Sequence, residues 1–151
     1  SKEKKARNKQ LWTAEVAVEF RKVLENFSQS HDLTYCCGRI FSFYDNKQSK
    51  KFLYPSIKDK IRNLKNKNTL KISNAYNVID IQKAENVATT IVKLFEKKAK
   101  GIVNIGTGKG VSIKNFAKQL TKKKIIIDTN KHNKTYYVAN IQRLNSIIKN
   151  D

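Results

Sequence analysis

Methionine is absent from the 151 residues, cysteine appears twice, proline and tryptophan once each, and glycine five times. The two cysteines, Cys36 and Cys37, are adjacent and would point to opposite faces of a strand, so they make neither a disulfide framework nor a zinc site. The two histidines, His31 and His132, are far apart, so no ligand cluster of usable spacing exists and no metal is expected. No low-complexity linker and no internal repeat interrupts the chain, and its length suits one domain with a real core. No apolar run approaches the length of a membrane helix and no signal-type region opens the chain, so no membrane span is expected and the compartment expected is the cytoplasm. A chain that starts at Ser1 and holds no Met is compatible with a piece cut from a longer protein.

Acid is scarce as well. Twelve Asp and Glu stand against 32 Lys and Arg, which gives a net charge of +20. That balance brings nucleic acid or an anionic surface into view. Only Arg7, Arg21, Arg39, Arg62 and Arg143 are arginine, however, the side chain suited to bidentate phosphate recognition. The basic residues are spread over every segment, with no arginine-rich helix and no aromatic row on one sheet face. A basic nucleic-acid-binding domain is therefore the alternative reading, and nucleic acid is not the partner expected.

What the chain does have is one unbroken strand, glycine loop and helix in KGIVNIGTGKGVSIKNFAKQL, residues 100–120. Ile102, Val103 and Ile105 form a β-branched run; Gly106, Gly108 and Gly110 follow at alternate positions. Ser112 can cap a helix whose Ile113, Phe116, Ala117 and Leu120 recur at i, i+3, i+4 and i+7. Backbone amides at such a loop suit an anion. A dinucleotide fingerprint would need its third glycine where Val111 stands, and no Gly-Lys-Ser/Thr completes a P-loop, so the loop reads as a turn between strand and helix.

Around this unit, residues 1–10 read as a frayed lysine-rich end. A helix over 11–27 carries Trp12, Val16, Phe20, Val23, Leu24 and Phe27. Residues 33–43 read as a buried strand in two parts, LTYCC and RIFSF. A helix begins near Pro55 and lines up Ile57, Ile61 and Leu64. TLKI and YNVIDI read as short strands, and Ala84, Val87, Ala88, Ile91, Val92 and Phe95 as the clearest helical stripe. KIIID and YYVA follow as strands, and Asn140 can cap a last helix with Ile141, Leu144, Ile147 and Ile148. Alternating strands and helices imply α/β layers.

The run VNIGTGKGVSIKNFAKQL, preceded by YNVIDIQKAENVATTIVKLF and further back by GRIFSFYDNKQSKKFLYPSIKDKI, resembles the C-terminal half of extended short-chain dehydrogenases of the NAD-dependent nucleotide-sugar epimerase/dehydratase family. The three blocks keep the family's order over about 33–120. The resemblance implies a partial Rossmann-like α/β fold, with a small, mostly parallel sheet and flanking helices. It implies a single substrate-binding portion over 1–151, without the N-terminal coenzyme-binding half that holds NAD or NADP. The partners implied are a nucleotide-sugar substrate and either the N-terminal half or a second copy of the chain. The role implied is nucleotide-sugar metabolism, as in surface polysaccharide biosynthesis, without turnover by this chain alone. An inactive remnant of the family fits the departures noted below.

The resemblance also carries the candidate residues. Arg39 resembles the arginine of the family's R-x-F-N-x-Y-G segment, with Ser42 at the usual Asn, Tyr44 at the Tyr and Asp45 at the usual Gly. Tyr76 and Asn77 stand where an Arg-Asp pair is common, and Lys83 where Asp is common. Substrate binding is thus assigned to Arg39, Ser42, Tyr44 and Tyr76, and cofactor binding to no residue. The family's catalytic Tyr-x-x-x-Lys occurs once by spacing, at Tyr54 and Lys58, in a block that resembles a segment downstream of the catalytic pair. It is set aside. Lys9, ahead of the first helix, is the remaining candidate, with Lys5 where the Tyr should be; otherwise the catalytic residue is unknown.

For the fold, RIFSF and VIDI are expected to flank Ile102–Ile105. Helices 11–27 and 84–95 should pack on the sheet, Phe95 should fill the core, and one sheet edge or face should stay uncovered.

Overall fold

The computed structural model describes residues 2–64, 68–129 and 134–149, with side chains from residue 16 onward. Helix α1 spans Lys2–Ser30, β1 Cys36–Ile40, β2 Ser42–Tyr44, α2 Leu53–Arg62, β3 Thr69–Lys71, β4 Val78–Ile79 and β5 Ile81–Lys83. Helix α3 follows at Ala84–Glu96, then β6 Gly101–Ile105, β7 Val111–Ser112, α4 Ile113–Gln119, β8 Ile126–Asp128, β9 Tyr136–Tyr137 and α5 Gln142–Ile148.

The pairing is mostly parallel, as the alternation of strands and helices requires. Strand β1 runs parallel to β6, β2 to β5, β3 to β8 and β4 to β9; only β4 with β7 is antiparallel. These ladders form several short sheets rather than one. RIFSF neighbours the central strand only in part. Arg39 and Ile40 lie opposite Asn104 and Ile105, and the Phe41 amide still donates to the Ile105 carbonyl at 2.9 Å. From Ser42 the chain turns to pair with β5 instead. VIDI does not pair with the central strand at all. It breaks at Asp80 into β4 and β5, which belong to different ladders.

Two apolar clusters result. One gathers α2, β3, β4 and α4, with Ile57, Leu70, Ala75 and Phe116 buried. The other packs Val87 and Leu94 of α3 and Leu144 of α5 on Val103 and Ile105 of β6. Helix α4 starts as anticipated, with the Ser112 hydroxyl accepting from the Asn115 amide at 3.1 Å. At α5 the Asn140 carboxamide oxygen accepts from the Gln142 amide at 3.0 Å, a cap one residue before the formal helix boundary.

Two packing expectations are overturned. Phe95 does not fill the core: it is 84% exposed, whereas Val87 and Leu94 are 6% and 4%. The buried line of α3 runs through 87 and 94; Val92 and Phe95 turn away from it, and Ile91, on the same face between them, is still 46% exposed. Helix α1 begins at Lys2, since the lysine, alanine and glutamine before Leu11 favour helix. From Val16 onward its apolar stripe does not pack on the sheet either, and the Trp12 side chain lies outside the described residues. Phe20 and Val23 are 63% and 62% exposed, and the side turned inward carries Arg21, Glu25 and the buried Ser28, whose hydroxyl donates to the Leu33 carbonyl. Desolvation, reinforced by a hydrogen bond and the charge of Glu25, raises the Tyr35 phenol above its ordinary value.

A pair of variants checks this placement. Leu94→Ala should cost about 2–5 kcal/mol, because it empties a core position. Phe95→Ala should change stability by less than about 0.5 kcal/mol, as surface substitutions do. Denaturation midpoints that fell equally in both would put Phe95 back in a core.

Candidate functional site

The glycine loop after β6 comes first, because its amides decide whether it can hold an anion. Asp80 is 1% exposed, and its carboxylate accepts from the Thr107 amide at 2.9 Å, the Thr107 hydroxyl at 2.6 Å, the Gly108 amide at 2.9 Å and the Ala139 amide at 3.2 Å. The donors that a phosphate would use are thus taken by an internal anion. Gly108 has φ +70°, the left-handed region that glycine enters without strain. A Cβ on Gly106 would stand 2.5 Å from the Ala139 Cβ. The loop is therefore a turn pinned to the break between β4 and β5. Among the described residues no second glycine-rich βα turn is present.

Polar groups converge elsewhere, between β2, the 45–50 segment and α2. Tyr44 is half-buried, its ring 4.7 Å from that of Tyr54 and 5.6 Å from that of Phe116. Tyr54 is buried on α2, and its hydroxyl donates to the Asn46 carboxamide oxygen at 2.9 Å. One helical turn on, the Lys58 ammonium donates to that same oxygen at 3.0 Å and to the Tyr54 oxygen at 3.1 Å, 5.1 Å from the Tyr54 ring centre. Two hollows meet at this triangle. One of about 250 Å³ is lined by Tyr44, Asp45, Asn46, Lys83 and Glu85, and one of about 370 Å³ by Gln48, Lys50, Lys58, Asp59 and Arg62.

The residues singled out in the sequence are partly brought together. Ser42 and Tyr44 share one face of β2, and only Tyr44 lines a hollow. Arg39 is exposed on β1 opposite Asn104, with no ion pair among the described residues. Tyr76 lies in the 73–76 turn with the Lys114 ammonium 5.7 Å from its ring centre, away from the Tyr44 hollow's lining. The side chain of Lys9 and all of His132 lie outside the described residues. Cys36 and Cys37 are free thiols, and burial, then the neighbouring Cys37, pushes the Cys36 thiol above its ordinary value. No group of three His, Cys, Asp or Glu side chains could hold a metal among the described residues, and no described helix is long and apolar enough to cross a membrane.

Asn46 and Asp80 escaped the sequence reading. A lone acid inside the apolar run of VIDI was the signal for Asp80. Nothing local marked Asn46, which the turn after β2 carries over to α2.

A third hollow, of about 720 Å³, is lined by Cys36, Gly38, Ile91, Leu94 and Phe95. It joins the bare outer side of α3 to β1, a strand with a ladder partner on one edge only.

Comparison with known proteins places this architecture. The chain is similar to RMD from Pseudomonas aeruginosa complexed with NADPH, with a TM-score of 0.69, 15% identity, and coverage of 82% of this chain and 45% of that one. For the Thermus thermophilus UDP-glucose 4-epimerase complex with NAD the TM-score is 0.68, at 16% identity over 85% and 45% of the two chains. For dTDP-glucose 4,6-dehydratase from Bacillus anthracis in complex with NAD it is 0.65, at 20% identity over 82% and 41%. The chain thus spans less than half the length of each. No curated protein matches it. The family model described as GDP-mannose 4,6 dehydratase matches residues 18–149, and with this α/β fold the chain belongs to that family of NAD-dependent sugar epimerases and dehydratases.

Proposed function

We propose that this chain is the C-terminal, substrate-binding portion of an NAD-dependent nucleotide-sugar epimerase or dehydratase of nucleotide-sugar metabolism, and that it performs no turnover alone. The observation that supports the reading is the Asp80 carboxylate seated on the Thr107 and Gly108 amides, which makes this loop a turn and a poor seat for a coenzyme phosphate. The division of labour follows. The coenzyme, when held by the other half of such an enzyme, supplies the hydride chemistry; this chain binds and orients the nucleotide sugar. Arg39, exposed and free of carboxylates, is assigned an anionic part of the ligand, and Ser42, Tyr44 and Tyr76 the remaining contacts.

Calorimetric titration of the chain with GDP-mannose, UDP-glucose and dTDP-glucose tests this. At least one should give saturable one-to-one heat, and Arg39→Ala should weaken that binding roughly tenfold, as loss of a charge-assisted hydrogen bond does. Flat titrations with all three up to millimolar concentration would reject the substrate-binding role.

A further inference from the structure

The bases are spread along the whole chain, but the acids are not. From residue 97 to residue 150 Asp128 is the single acid, against 13 Lys and Arg. Two strands of the β7-β4-β9 sheet come from this stretch. Ile79 of β4 is buried in the core, so its neighbour Val78 faces outward, and the register sets Ser112 and Tyr136 beside Val78 on that outer face. Tyr136 is 65% exposed on the edge strand β9, with the Lys134 ammonium 4.8 Å from its ring centre.

A second ring is tied to the same sheet. The Asn77 carbonyl accepts from the Ile113 amide at 2.9 Å and its carboxamide oxygen from the Thr135 amide at 3.3 Å, which holds this segment between the start of α4 and β9. Tyr76 precedes Asn77, and the Lys114 ammonium lies 5.7 Å from its ring centre. Lys118 follows one helical turn after Lys114 and is exposed. None of Lys114, Lys118 and Lys134 has an ion pair among the described residues. Tyr76 and Tyr136 are far apart in the chain, so the sequence shows no aromatic row; the β4 and β9 pairing brings them together.

We propose that this face binds single-stranded nucleic acid, with Tyr136 and Tyr76 as the rings on which bases stack and Lys114, Lys118 and Lys134 as the cations for its phosphates. Lysines alone would suit any polyanion. The exposed rings select one that carries bases, because every base has a flat face that stacks on an aromatic ring. Rings on an open surface meet bases that are already unpaired, which is why the strand is single. Tyr76 is shared with the nucleotide-sugar reading, whereas Tyr136, Lys118 and Lys134 are not, so the test is placed on these.

The experiment is fluorescence anisotropy of the chain with labelled oligo(U) and oligo(dT) of about 15 nucleotides, within the span such sites cover. Saturable binding to at least one is expected at about 50 mM salt, with log K falling against log salt at a slope of about −2, the value for roughly three neutralised phosphates. Tyr136→Ala should weaken binding at least roughly fivefold, the scale for losing one stacked base, and Tyr136→Phe should retain it. Lys134→Gln should flatten the salt slope by about 0.7. Lys93→Gln, which removes the same charge from an exposed position on α3, should change the affinity less than about twofold. Tyr136 is exposed, so its replacement leaves the fold intact. Absence of saturation with both oligonucleotides would overturn the site. Equal weakening by Lys93→Gln and Tyr136→Ala, or equal affinity for inorganic polyphosphate of matching length, would overturn it too, because net charge would then account for the binding. The nucleotide-sugar titrations and Arg39→Ala use none of these variants, so either reading can fail while the other stands.

Discussion

Asp80→Ala is expected to remove about 3–5 kcal/mol of stability, because several donors lose the one acceptor they share, at about 1–3 kcal/mol for each buried one. The carboxylate accepts from the Thr107 amide and hydroxyl, the Gly108 amide and the Ala139 amide, with Asp80 itself 1% exposed. Without it the buried Ala139 amide loses its acceptor in the interior and the part-buried Thr107 donors lose theirs, and each buried donor left unmade costs about 1–3 kcal/mol. Since small domains hold only about 5–15 kcal/mol in total, this one substitution should bring the chain close to unfolding. Asp80→Asn keeps the shape but turns an amide group toward amide donors, so it should recover only part of the loss. Urea unfolding reads both; a midpoint within error of the parent protein for Asp80→Ala would show that the loop is not held by this residue.

Gly106→Ala should destabilise the chain at the same contact. Its new Cβ would lie 2.5 Å from the Ala139 Cβ and 2.7 Å from the Asp80 Oδ2. Neither neighbour can yield: the alanine methyl sits directly on the backbone, and the carboxylate is fixed by its donors. Overpacking of this kind costs about 1–3 kcal/mol. Because the methyl displaces the same carboxylate that Asp80→Ala deletes, the double variant should lose less than the sum of the two single losses. Strict additivity in the double-mutant cycle would contradict the contact.

The central β6, loop and α4 unit was legible in the sequence because its determinants are local. The Ser112 cap and the spacing of Ile113, Phe116 and Ala117 need no partner to be recognised. Asp80 and its loop were not legible, since the partners stand 27 and 59 residues away and no local pattern links them. Phe95 shows a different failure. Periodicity reveals that a helix side is apolar, not what covers it, and in a chain that covers less than half of each structural neighbour, part of that side has no cover among the described residues. The same holds for α1, where Phe20 and Val23 keep perfect amphipathic spacing and remain exposed. The expectation is an uncovered sheet edge or face; the exposed apolar residues named here lie instead on helices α1 and α3. At the candidate site the i, i+4 spacing of Tyr54 and Lys58 could be read directly. Their meeting with Asn46 depends on the turn after β2, which the pattern did not define.

The central claim is that this chain binds the nucleotide sugar while coenzyme binding belongs to the other half of such an enzyme. Titrating the 151-residue chain with NAD in the same calorimetric conditions that detect a nucleotide sugar tests it most directly. The account predicts saturable heat for the nucleotide sugar and none for NAD. Micromolar one-to-one binding of NAD to this chain would contradict it, because a coenzyme site would then exist where Asp80 already holds the loop amides.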